Sequence, residues 1–157
     1  MSLYDIYLEQ AKLYHQDDKI WQGTSLIKYI PTINQIIKDK GIESILDYGC
    51  GKAKHHPLEW NATKYDPAVP EYQNKPTGKF DLVIATDVLE HIPIDNLKDV
   101  IDEIFTYSKK WVFISVCCRK ANAILPNGYN AHATIESAKW WREVFKAYKN
   151  NTLEFSE

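Results

Sequence analysis

The sequence predicts an α/β layered fold, three layers deep, with a mostly parallel sheet. Three observations carry this reading. Short apolar segments alternate along the chain with segments of helical period. Trp111–Cys118 is apolar apart from Ser115, as expected of a strand covered on both faces. Leu97, Val100, Ile101, Ile104 and Phe105 recur at the i, i+3, i+4, i+7, i+8 spacing of an amphipathic helix. Sheets of this kind bind ligands at the carboxyl ends of their strands. Three such ends carry polar chemistry here: Asp47–Gly51, Asp66 and Thr86–His91.

Taken in order, Ser2 is expected to cap a first helix with Tyr4, Tyr7, Leu8 and Ala11 on its apolar side. A polar break, His15–Lys19, follows. A second helical stretch runs from about Ser25 to Lys40, and Pro31 should kink or split it. Gly41 suits the left-handed position after its end. Ser44–Tyr48 reads as a first strand and Ala62–Asp66 as a second. The stretch between them, Gly49–Asn61, barely permits a parallel crossover, and Pro57 keeps any helix there short. Phe80–Ala85 is a third strand. Asp95 or Asn96 is expected to cap the helix that follows Pro93. Trp111–Cys118 is the fourth strand and Arg119–Ile135 a long loop. Ser137 caps a last helix, and Thr152–Phe155 adds one more strand. The division expected is one domain over 1–157, with an N-terminal helical cap or lid at 1–40 and an α/β core at 41–157.

Composition narrows the class. The chain has 157 residues, a net charge of −2, 45% apolar and 25% charged residues. These are ordinary values for one globular domain. Five Trp, ten Tyr and five Phe argue against long disorder. No apolar run approaches the ~20 residues that a bilayer span needs. Met1–Gln10 carries Asp5 and Glu9 and lacks a signal pattern. Near-neutral charge speaks against a protein that lives on nucleic-acid phosphates. Three cysteines, two of them adjacent, make a disulfide framework improbable and point to a reducing, cytoplasmic setting.

The glycine loop has its own chemical logic. Gly49-x-Gly51 after a strand also fits a tight turn that binds nothing. A diphosphate loop wants a third glycine at position 54, which is Lys. Asp47, two residues before Gly49, would repel a diphosphate and attract an ammonium group, an effect of a few kcal/mol at short range. The loop therefore suits an amino-acid-bearing nucleoside. Asp66, at the tip of the second strand, can accept two hydroxyl bonds from a ribose, each worth about 1.5–3 kcal/mol; a turn-forming Asp-Pro pair is the plainer alternative.

At these residues the chain resembles a known family. Ile45-Leu46-Asp47-Tyr48-Gly49-Cys50-Gly51-Lys52-Ala53 is similar to the first motif of class I methyltransferases that use S-adenosyl-L-methionine. Phe80–Pro93 is similar to the later motif of that family, and Tyr65-Asp66 stands where the family places its ribose acid. The resemblance covers roughly Gly41–Cys118. It implies a Rossmann-like fold, a methyltransferase activity and S-adenosyl-L-methionine as cofactor. By the same resemblance Asp47 and the Gly49, Cys50 and Gly51 backbone would hold the methionine part, Asp66 the ribose, and Asp87, Val88 and Leu89 would line the cofactor near sulfonium and adenine. Departures mark a reduced version. Ala53 replaces a frequent third glycine, Pro67–Lys79 is too short for the usual further helix and strand, and one strand at most follows the last helix.

Methyl transfer from a sulfonium is an in-line displacement that needs alignment and exclusion of water, and no metal. His91 is the leading candidate for a base, although a helix-start histidine that bonds locally fits equally well. Asn130 and His132, in the loop after the fourth strand, are acceptor-site candidates. Tyr14, His15 and Trp21 are read as a lid, with Tyr14 reaching the cofactor; packing on the first helix is the even alternative. His55 and His56 beside Cys50 lack a fourth ligand for zinc and read as a solvated turn. No Pro-Pro-Tyr or Pro-Cys motif follows a strand, unlike the DNA base methyltransferases. The acceptor expected is a small molecule or a modified sugar, peptide or lipid precursor. Neither membrane nor nucleic acid is expected as a partner, and an oligomer or partner could cover the sheet edge. The alternatives are an inactive S-adenosyl-L-methionine-binding module or subunit, and a dinucleotide-dependent oxidoreductase.

Overall fold

The computed structural model describes residues 1–157. Five strands form one sheet: β1 (Ile45–Tyr48), β2 (Thr63–Tyr65), β3 (Phe80–Thr86), β4 (Ser108–Cys117) and β5 (Asn151–Ser156). Their order is β2-β1-β3-β4-β5, and every neighbouring pair is parallel. The helices are α1 (Leu3–His15), α2 (Ile30–Lys40), α3 (Ile94–Thr106) and α4 (Ala138–Phe145). The fold is α/β and Rossmann-like, in agreement with the expectation from the motifs.

The apolar strands are not uniform in direction. Leu46, Val83, Ala85, Val112, Ile114 and Val116 face α3 and α4, meeting Leu97, Val100, Ile101, Ile104, Trp141 and Phe145. Ile45, Leu82, Ile84 and Phe113 face the other way, onto Leu26, Tyr29, Ile33 and Ile36. Period-two alternation thus sorts a continuous apolar run onto two covered faces. The result is three layers with the sheet in the middle. Within residues 1–40, α2 is one of those layers, while α1 has no buried residue and lies over the carboxyl ends of the strands.

Several elements differ in detail from the sequence pattern. Helix α3 starts at Ile94 with Pro93 at its N-cap, so Asp95 and Asn96 sit inside the first turn and neither caps it. The fixed φ of Pro93, −56° here, starts the helix early. Pro31 splits the second helical stretch: Thr24–Tyr29 is a 3₁₀ helix, and α2 begins at Ile30 with Pro31 in its first turn, where a missing N–H costs little. Strand β4 begins three residues before Trp111, because Phe80 of β3 pairs with Ser108. Ser2 and Asp5 form a reciprocal capping box on α1, and Ser137 caps α4. The crossover between β1 and β2 holds only a 3₁₀ turn, Leu58–Trp60, pinned by the Trp60 Nε1–H bond to Asn34 Oδ1 of α2 at 2.8 Å. Residues 67–79 likewise hold one 3₁₀ turn, Pro70–Tyr72. The carboxyl ends of β1, β2 and β3 are therefore joined by short, irregular chain, and all three open on one side.

Candidate active site

At the end of β1 the chain turns through Gly49, at φ 78°. The N–H groups of Gly49 and Cys50 both donate to the Tyr65 carbonyl, at 2.7 and 3.1 Å, tying the loop to β2. A Cβ at Gly49 would lie 2.4 Å from Cγ2 of Val88, so only glycine lets this loop approach the tip of β3. The Gly51 N–H donates to Asp66 Oδ2 at 2.8 Å, and the other oxygen of Asp66 accepts the Ala68 N–H at 2.8 Å. Asp66 thus braces the glycine loop. Burial still pushes its pKa up, against those two bonds. Ala53 adopts φ 51°, a left-handed conformation that glycine would hold without steric cost. Cys50 is buried, and burial, helped by Asp47 and Asp66, raises its pKa far above that of a reactive thiol.

Asp47 is 2% exposed, deep beneath the loop. His56 Nε2 approaches its Oδ2 to 2.6 Å, off the hydrogen-bonding direction, and Oδ1 has no partner. His56, expected to lie in a solvated turn, is instead a buried neighbour of Asp47.

At the tip of β3, Asp87 sits at φ 53°. Its N–H donates to Ser115 Oγ at 3.0 Å, and the Ser115 hydroxyl donates back to Asp87 Oδ1 at 2.9 Å. A 3₁₀ turn, Leu89–His91, then divides its side chains. Leu89 is fully buried in the core and does not line the cavity, contrary to its expected role at the cofactor. Glu90 is also fully buried but faces the cavity. Its Oε1 accepts the Cys117 N–H at 2.9 Å, and Oε2 has no partner. Burial, reinforced by the charge of Asp87, lifts its pKa to about 8.

The loop after β4 folds back over this turn. The N–H groups of Ala133 and Thr134 donate to the Glu90 carbonyl at 2.7 and 3.0 Å. The rings of His91 and His132 lie 4.9 Å apart, edge to face. His91 Nδ1 bonds the Ala131 carbonyl at 2.8 Å, and His132 Nδ1 bonds the Arg119 carbonyl at 2.6 Å. A carbonyl only accepts, so each Nδ1 carries the proton and each Nε2 keeps a lone pair. Burial lowers the pKa of both rings, that of His91 to about 4, with His132 adding to the shift. Asn130 does not line the cavity. Its Oδ1 accepts the N–H groups of Ala121 and His132, and its Nδ2 donates to the Ala121 carbonyl, so it shapes the loop that carries His132.

Residues His15 and Trp21 close over the same space. Trp21 holds φ 47°, a strained conformation for a bulky residue, and its ring meets His15 at 5.2 Å and His91 at 5.3 Å. Tyr14 packs on the Trp21 ring at 4.4 Å and does not line the cavity; it supports that ring from behind.

One cavity of about 480 Å³ joins these parts. Asp47, Gly49, Cys50, Gly51, Asp66, Asp87 and Val88 line it, together with His91 and His132. Tyr14, Leu89 and Asn130 are the expected site residues that stand outside it. His56 and Glu90 are the two that sequence reasoning passed over. For Glu90 a signal existed, since an acid sits beside His91 in an otherwise apolar turn; for His56, nothing local marked a buried partner. A family model described as a methyltransferase domain matches residues 15–150. No curated protein and no solved structure gives a match.

Proposed function

Since the chain belongs to the class I S-adenosylmethionine-dependent methyltransferase family, we propose that it binds S-adenosyl-L-methionine across the tips of β1, β2 and β3. The acceptor is a small molecule, or a modified sugar, peptide or lipid precursor, bound beside His91 and His132. The observation that carries this reading is the opening of all three strand tips on one cavity. Its size lies within the few hundred to about 1,000 Å³ typical of small-molecule sites.

The residues fit the cofactor on a specific point. Oδ1 of Asp47 is buried and unpartnered, and an ammonium group is the donor such a carboxylate needs. Asp47 would hold the amino group through Oδ1 while His56 occupies Oδ2. The glycine-loop backbone would follow the methionine part. Asp66 would accept ribose hydroxyls on the lone pairs left over from Gly51 and Ala68. The cofactor, once bound, supplies a methyl group on a positive sulfur. Trp21 and His15 cover the cavity and keep water out, which strengthens every charge contact inside. His91, neutral and with its pKa near 4, is a weak proton acceptor around neutrality. We assign it to orienting the acceptor, and Asn130 to positioning His132.

Calorimetric titration with S-adenosylmethionine and S-adenosylhomocysteine tests the reading. Binding in the micromolar range, weakened in Asp66→Ala, supports it; failure of the wild-type chain to bind either compound overturns it. Transfer of a labelled methyl group from the bound donor into a pool of small-molecule acceptors identifies the acceptor.

A further inference from the structure

We propose that Glu90, His91 and His132 form a site for one divalent transition-metal ion, with a coordination position left open to the cavity. One ligand atom from each residue can be chosen so that all three lie within 4.8 Å of one another. Both imidazoles are already arranged as metal ligands are. Each donates its Nδ1–H to a backbone carbonyl, which fixes the tautomer and leaves Nε2 with a free lone pair. Glu90 supplies the independent sign. It is wholly buried, yet Oε2 has no hydrogen-bond partner, and an unsatisfied buried carboxylate oxygen is costly. No lysine or arginine pairs with Glu90 or with its neighbour Asp87.

The local fold explains why these three meet. The tight Leu89–His91 turn sends Leu89 into the core and Glu90 and His91 into the cavity. The Ala133 and Thr134 bonds to the Glu90 carbonyl clamp the returning loop, and Asn130 holds the His132 backbone. Two imidazole nitrogens and one carboxylate oxygen suit manganese, iron, cobalt or zinc better than calcium or magnesium. Three protein ligands leave room for a further one, as in catalytic metal sites.

A role follows, and it rests on the methyltransferase reading above. The open position would take a hydroxyl of the acceptor and make it more acidic. The hydroxyl proton leaves to solvent as the acceptor binds, ahead of the transfer, and the oxygen's electron pair then forms the new bond to the methyl carbon. The carbon–sulfur bonding pair stays on sulfur, which becomes a neutral thioether.

Mn²⁺ alone, titrated into the full chain without any methyl donor, tests the site. The expected result is one ion per chain, with imidazole nitrogen couplings in pulsed electron paramagnetic resonance. Glu90→Gln and His132→Ala should each weaken uptake by at least about tenfold, the scale found even for outer partners of a metal site. Wild-type protein that takes up neither Mn²⁺ nor Co²⁺ overturns the proposal. So does bound Mn²⁺ without nitrogen couplings, a result that holds even where a variant fails to fold. S-adenosylhomocysteine binding, measured separately, keeps the two readings apart. Nucleoside binding without metal uptake overturns the metal site alone, whereas metal uptake without nucleoside binding supports the site and overturns the cofactor reading.

Discussion

Nε2 of His56 lies 2.6 Å from Oδ2 of Asp47, with the two side chains 7% and 3% exposed. The pair links the short crossover to the floor of the glycine loop. It sets an imidazole nitrogen against one oxygen of Asp47, off the hydrogen-bonding direction, and leaves the other oxygen unpartnered. Replacing His56 by Ala strips a buried acid of its neighbour. The expected cost is about 1–3 kcal/mol of folding stability, read from urea unfolding midpoints. Asp47→Asn keeps the shape and removes the charge. It should weaken S-adenosylhomocysteine binding by roughly 1.5–3 kcal/mol, about ten- to a hundredfold, in calorimetry.

Gly49 and Ala53 make a matched pair of backbone tests. Gly49→Ala puts a Cβ 2.4 Å from Cγ2 of Val88 at φ 78°, which forces the loop off the tip of β3. A loss of about 2 kcal/mol or more is expected. Ala53→Gly relieves the left-handed strain at φ 51° but loosens the unfolded chain. The two effects are each about 1 kcal/mol and opposed, so the unfolding midpoint should move little. A large shift at Ala53 would contradict this account.

Ser115 is completely buried and exchanges two hydrogen bonds with Asp87. Ser115→Ala leaves the Asp87 carboxylate without its donor and removes one of the two acceptors of the Asp87 N–H, at φ 53°; the bond to the Ser115 carbonyl at 3.0 Å remains. Stability should fall by about 1–3 kcal/mol. Amide exchange at Asp87 and Val88 should speed up while the α4 amides stay protected.

The metal-free protein should be most stable near pH 6.5. His15 and His91 each have a folded pKa of about 4 against 6.5 unfolded, because burial disfavours their charged forms. Between these values the unfolded chain binds more protons, so their contribution is complete above 6.5 and lost as pH falls toward 4. Glu90 behaves oppositely. Its folded pKa of about 8 lies above the ordinary 4.5 of the unfolded chain, so its contribution is complete below 4.5 and lost as pH rises through 8. Two histidines outweigh one acid below 6.5; Glu90 alone acts above it. Urea midpoints across pH 4.5–8 should trace this maximum. Glu90→Gln should flatten the upper limb and His15→Gln should reduce the lower one.

Asn130 governs a loop without touching the cavity. Asn130→Ala removes the acceptor of two backbone N–H groups, those of Ala121 and His132. Hydrogen exchange should rise at both amides, and the His91–His132 edge-to-face contact at 4.9 Å should loosen. Unchanged exchange at His132 would return Asn130 to the role of a direct acceptor contact.

The layered fold and most of the site were open to reading because their signals are local. The 3.6-residue period of α3, the apolar run of β4 and the Asp47–Gly51 stretch each report on a few consecutive residues. So do the glycines, whose positive φ values the turn demands. Leu89 and Tyr14 were misplaced for a different reason. A side chain's direction within a one-turn 3₁₀ segment or at a helix end depends on what packs around it, and spacing alone leaves it open. Asn130 showed a polar residue at the right end of the sheet, but not that its amide would be spent on its own loop.

By itself the sequence determined the order of elements, the parallel sheet, the glycine loop and the two acids at the ends of β1 and β2. Only the tertiary structure decided that His56 rests on Asp47, that Asp66 supports Gly51, and that Glu90 and His91 meet His132 across the loop after β4. The physical reason is range. Periodicity and turn chemistry act between neighbours in the chain, whereas burial and pairing of a polar side chain depend on residues that folding brings in from elsewhere.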